Sequence, residues 1–131
     1  MSTVSLDFQF DSPIEKIWSA LTDSKKLAKW VMDNDFRPIV GYECRFWTEP
    51  NKFWDGIVHS KVLIVNEPNK LSYTWLTDGQ NTVVTWTLKK HGEKTHLHLE
   101  HEGFENEGHA YQGAKQGWAK MVNQLNRLIE Q

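Results

Sequence analysis

The chain has 131 residues, with 15 Lys and Arg against 17 Asp and Glu, so it is about one domain long and has no basic field to neutralise nucleic-acid phosphates. Its single cysteine, Cys44, excludes an internal disulfide; the opening MSTVSLDFQF lacks the charged start and apolar run of a secretory signal, and no window approaches the roughly 18 apolar residues of a membrane span. These features predict one cytoplasmic domain over residues 1–131 with no nucleic-acid partner and no membrane insertion, and they leave unexplained seven tryptophans, far more than a core of this size needs.

Residues 3–10 alternate, with Val4, Leu6, Phe8 and Phe10 on one face, as a half-buried strand requires. DSPIEKIWSALTD announces a helix. Ser12 suits the N-cap, Pro13 the first helical position and Glu15 a capping box, while Ile14, Ile17, Trp18 and Leu21 form an apolar stripe. TDSKKLAKW restarts a second short helix that carries Leu27 and Trp30 inward. From Asp35 to about Gly103 the chain reads as strands over residues 36–39, 42–48, 53–65, 71–77, 82–90 and 94–102. Turn formers separate them at Gly41, residues 49–52, residues 66–69, Asp78-Gly79 and Gly92. Gly56 inside the long third run predicts a bulge, which leaves the inward and outward facing of that strand open.

Residues 108–130 form the last helix. Steps of about 100° gather Tyr111, Ala114, Trp118, Met121, Val122, Leu125, Leu128 and Ile129 in one arc, opposite Gln116, Lys120, Asn123 and Arg127. Along this face Ala110, Ala114 and Gly117 occupy the first half and large side chains the second. Glycine costs about 1 kcal/mol in a helix interior, so Gly113 and Gly117 imply either a closely approaching backbone or space kept open.

The stretch HLHLEHEG, residues 96–103, looks like a metal site, and strand parity tests the idea. A hairpin at Gly92-Glu93 that pairs His91 with Lys94 sets Leu88 opposite Leu97, Trp86 opposite Leu99 and Val84 opposite His101, all inward. His96 and His98 then face outward beside Lys89, with Asp7 within reach if the first strand lies alongside. That supplies two or three ligands on a solvated surface, where a structural zinc takes four with a supporting shell. The pair is therefore read as surface histidines, with no metal. His101 turns inward near the final helix, either as a hydrogen-bonded core residue or as a polar group that orients a ligand.

The order of strand, two short helices, six strands and long helix resembles the helix-grip fold of the START and birch-pollen-allergen superfamily, an α+β fold in which a curved antiparallel sheet of six to seven strands wraps around a long C-terminal helix. Within it the chain is most similar to the heat shock protein 90 ATPase activator homologue-like family. The stretches SPIEKIWSALTDSKKLAKW, VLIVNEPNKLSYTW and VTWTLKKHGEKTHLHLEHEGF carry the likeness, with the GW at Gly117-Trp118. They are packing and turn patterns, specific for fold and weak for function. The chain departs from the family at Gly41-Tyr42, where many relatives have two glycines, and at Trp54 and His59, which could reshape the pocket rim.

The resemblance implies a cavity between sheet and helix that binds small apolar molecules in many members. Ala110, Ala114 and Gly117 would lie over it, Phe46, Tyr73, Trp75 and Trp86 would face it from the sheet, and Tyr111 and Trp118 from the helix; the competing reading is that these rings fill the core. The first expected function is non-enzymatic binding of a small hydrophobic or aromatic molecule (lipid, polyketide or flavonoid) without a cofactor, oriented by Tyr73, His101 or Tyr111. The second is a cyclase or hydratase in the same cavity, for which His101, His59, Asp55 and Glu43 are the acid–base candidates; no nucleophile elbow, phosphate loop or metalloprotease motif is present. The third is chaperone ATPase co-regulation by protein contact, although in the name-giving protein that activity involves an additional domain. The chain is expected to be a monomer or a weak homodimer.

Overall fold

The computed structural model describes residues 1–77 and 79–130. The alternating N-terminal residues form β1 (Ser2–Phe10), followed by α1 (Ile14–Thr22), α2 (Ser24–Trp30) and a two-residue β2 (Asp33–Asn34). Then come β3 (Glu43–Trp47), β4 (Ile57–Asn66), β5 (Lys70–Thr77), β6 (Gln80–His91), β7 (Lys94–Phe104) and α3 (His109–Glu130). Among the described residues the strands make one seven-stranded sheet in the order β1-β7-β6-β5-β4-β3-β2, with every pairing antiparallel. Because β1 and β2 lie on opposite edges, α1 and α2 carry the chain across the sheet, and α3 packs against both helices and against β1 and β7. This is the α+β helix-grip fold.

The β6–β7 register is the one that parity requires: His91↔Lys94, Leu88↔Leu97, Trp86↔Leu99 and Val84↔His101. The six inward residues of the last three pairs are buried, so a one-residue slip would expose an entire apolar face. β1 does lie beside β7, with Asp7 opposite His98. The second half of α3 seals one end of the core through Val122, Leu125 and Ile129, and Lys16 Nζ of α1 donates to the Ile129 carbonyl at 2.7 Å.

Four local expectations change. Pro13, in extended conformation, itself occupies the N-cap of α1 and brings no side-chain bond; Ser12 instead accepts at its carbonyl from Thr95 Oγ1 at 2.8 Å, so there is no capping box. Asp23 does cap α2, accepting from the Lys25 and Lys26 amides. Residues 36–39 are not a strand: Pro38 has no amide to donate, and Ile39 N turns back to the Arg37 carbonyl at 2.8 Å. The bulge of β4 lies between Val62 and Ile64, which leaves Leu63 and Ile64 both exposed. Gly56 precedes the strand with a φ of 79°, and a Cβ there would collide with the Thr48 carbonyl, so residues 53–55 belong to the loop. Of the expected Asp78-Gly79 turn, Asp78 lies outside the described residues.

Candidate functional site

Between the sheet and the first half of α3 lies a cavity of about 630 Å³. Trp75 on β5, His101 and Phe104 on β7, and Trp118 on α3 wall it, with Ala114 and Gly117 on the helix side and Trp54 from the β3–β4 loop. The glycines of α3 take the second of the two explanations above: a Cβ built on Gly113 or Gly117 meets nothing within 4 Å. No backbone approaches them, and the space is open.

The structure divides the sequence-predicted site residues. Trp54, Trp75, His101, Ala114, Gly117 and Trp118 line the cavity. Phe46, Tyr73 and Trp86 do not; they are fully packed beneath it. There Trp86 Nε1–H donates to Tyr73 Oη at 2.9 Å, Phe46 stacks on Tyr73 at 6.1 Å, and burial pushes the Tyr73 phenol well above its ordinary pKa. Tyr111 packs edge-on against Phe104, 5.9 Å between ring centres, outside the lining. His59 is exposed on the opposite face of β4 from the inward Val58 and Ser60. Asp55 is exposed and bonds the Ile57 amide at 3.0 Å, and Glu43 is exposed on β3. Of the four acid–base candidates, only His101 reaches the cavity.

Sequence reasoning missed Phe104 and Thr82, which also line the cavity. Phe104 faces inward because the β1–β7 ladder shifts at Gly103, whose φ is 106°; the glycine inside the strand was the signal for that bulge. Thr82 follows from the parity that puts Val84 inward. Met32, Thr77, Gln80 and His109, from loops, strand ends and the start of α3, complete the rim.

His101 is 1% exposed, and both its ring nitrogens are committed. Trp118 Nε1–H can only donate, so His101 Nδ1 accepts, at 2.9 Å. The single proton of the neutral ring then sits on Nε2 and is donated to Thr82 Oγ1 at 2.7 Å. Thr82 Oγ1–H in turn donates to the Trp75 carbonyl at 2.8 Å. Burial pushes the His101 pKa down to about 4, in keeping with a chain that has no room for a second imidazole proton. The Trp54 indole N–H is buried without a partner among the described residues, an unmet donor of the kind that costs about 1–3 kcal/mol.

On the outer face, Asp7 Oδ1 accepts from His96 Nε2 and His98 Nδ1, each at 2.8 Å. The hydrogen bonds from His98 and then His96 hold the Asp7 carboxyl below its ordinary range. Desolvation lowers the His98 pKa, but bonds to Asp7 and Glu100 outweigh it and leave the pKa raised. Among the described residues no trio of His, Cys, Asp or Glu is arranged to hold a metal ion, and no helix is long and apolar enough to cross a membrane.

No curated protein matches the chain. Among solved structures, protein MLL2253 from Mesorhizobium loti has a TM-score of 0.89 at 36% identity, covering 98% of this chain and 97% of that one. Protein BH1534 from Bacillus halodurans has a TM-score of 0.82 at 26% identity, covering 98% and 97%. DynU16, a protein of the dynemicin biosynthetic locus, has a TM-score of 0.85 at 25% identity over 99% of this chain, which spans only 48% of DynU16. Residues 11–130 match the model of the family described as Activator of Hsp90 ATPase homolog 1-like protein, and with that match over most of its length the chain belongs to this family.

Proposed function

We propose that the protein binds one small hydrophobic or aromatic molecule in the cavity under α3, and that it holds this molecule without transforming it. The observation that carries the reading is the volume of about 630 Å³ between aromatic rings and the side-chain-poor turns of the helix. Ligand pockets run from roughly 300 to 1,000 Å³ and are mostly apolar with a few polar groups. Affinity would come from burial of rings against Trp75, Trp118 and Phe104. Acid–base turnover needs a group that can gain or lose a proton near neutral pH, and His101 is held neutral with both nitrogens bonded.

Native mass spectrometry of freshly purified protein tests this. A retained small molecule at one per chain is expected, and it is lost in Gly117→Leu, a bulky side chain at a cavity-lining position where a Cβ meets nothing within 4 Å. Protein that carries no adduct and also shows no tryptophan quenching across a panel of flavonoid, lipid and polyketide compounds would refute the proposal.

A further inference from the structure

The charge of the ligand can be read from the wall. Among the described residues that line the cavity there is no Asp, Glu, Lys or Arg. The buried titratable group, His101, is locked as a neutral ring by Trp118 and Thr82, so it cannot become a counter-ion without losing the hydrogen bond that its Nδ1 accepts from Trp118. The other titratable group, His109, stands exposed at the rim.

The start of α3 is also near the mouth, and helix N-termini attract anions. Here that attraction is offset. The Gly108 amide is taken by Asn106 Oδ1 at 2.8 Å, and exposed Glu105 and Glu107 immediately precede the helix. Besides His109, the polar groups at the rim are uncharged: the Thr77 hydroxyl and the Gln80 amide.

We infer that the cavity selects ligands without formal charge, flat multi-ring aromatics whose oxygen substituents stay at the mouth with Thr77 and Gln80, and rejects carboxylates and sulfonates of the same shape. This deepens, and rests on, the binding reading above. An ion moved into such a wall loses its hydration and gains no opposite charge, a penalty of several kcal/mol that ring burial does not recover. Fatty acids are excluded on the same ground.

Two fluorescent probes with one ring skeleton separate charge from shape: N-phenyl-1-naphthylamine, which is neutral, and 8-anilinonaphthalene-1-sulfonate, which is anionic. Titrations are run at about pH 8. The neutral probe is expected to bind at one per chain, and the sulfonate about tenfold more weakly or worse. Gly117→Leu should abolish binding of the neutral probe. Gln80→Lys, or Thr77→Lys should the first fail to fold, places an ammonium at the rim and should raise the affinity for the sulfonate relative to that for the neutral probe about tenfold.

Equal binding of both probes, each lost in Gly117→Leu, would overturn the charge selection and leave cavity binding standing. A sulfonate that stays weak in both lysine variants would also overturn it. Failure of the neutral probe to bind, or binding of it that is indifferent to Gly117→Leu, would remove the binding reading itself and this inference with it.

Discussion

His101 shows how one residue's chemistry is decided by its neighbours. In the unfolded chain its imidazole titrates near 6.5, whereas in the folded protein burial holds it at about 4. Above about pH 6.5 the ring is neutral in both states and stability is unaffected. As pH falls from there towards 4, only the unfolded chain takes up the proton, so stability drops, by about 3 kcal/mol in all. His98 has the opposite sign. Its folded pKa is raised by Asp7 and Glu100, so its contribution is full below about 6.5 and fades as pH rises through the folded value. Denaturant unfolding between pH 7 and pH 4.5 should show the loss in wild type. In His101→Leu the slope should flatten, while stability at pH 7 falls by about 2–4 kcal/mol because the buried Trp118 N–H loses its acceptor and Thr82 keeps only its bond to the Trp75 carbonyl. Equal pH slopes in the two proteins would show that His101 is not the titrating group.

At the scale of elements, α3 is two helices in one. Its second half is an ordinary packed amphipathic segment, and its first half is made of residues that leave room. Helix propensity therefore opposes the cavity. Gly113→Ala and Gly117→Ala should each stabilise the fold by about 0.5–1 kcal/mol, since the added Cβ meets nothing, a gain readable in the thermal midpoint. Destabilisation by either would mean that the helix is closely packed there. The bulge in β7 behaves differently. Gly103 has a φ of 106°, and a Cβ would lie 3.1 Å from the Asn81 carbonyl. Gly103→Ala should cost about 1–3 kcal/mol and turn Phe104 away from the cavity; unchanged stability in denaturant titration would contradict this.

On the scale of the whole molecule, the cavity exists because the sheet closes on α3 at one end only. The seven-strand order puts β1 and β2 at opposite edges and obliges α1 and α2 to bridge them, and α2 then reaches α3. Met32, which follows α2, lines the cavity. A ligand in this space touches strands, loop and helix at once and stabilises the native state alone. Saturation with N-phenyl-1-naphthylamine at about 100 times its Kd should add about 2.7 kcal/mol, a rise of roughly 10 °C in Tm for a chain of this length. Calorimetry that showed no rise under saturation would place the probe on the unfolded chain or on no defined site.

The amino-acid sequence by itself determined the element order, the β6–β7 register and the inward turn of His101, because each follows from periodicity over a few residues. Periodicity also marked the small-residue half of α3. What it could not decide was which aromatic rings meet the hollow and which meet one another. Trp75 and Trp86 both face inward from neighbouring strands, yet Trp75 lines the cavity and Trp86 is sealed against Tyr73 and Trp118. That difference depends on where α3 crosses the sheet, a distance set by contacts far apart in the chain. The neutral state of His101 was likewise hidden, since its two partners lie 19 and 17 residues away and only the folded sheet and helix bring them to one ring.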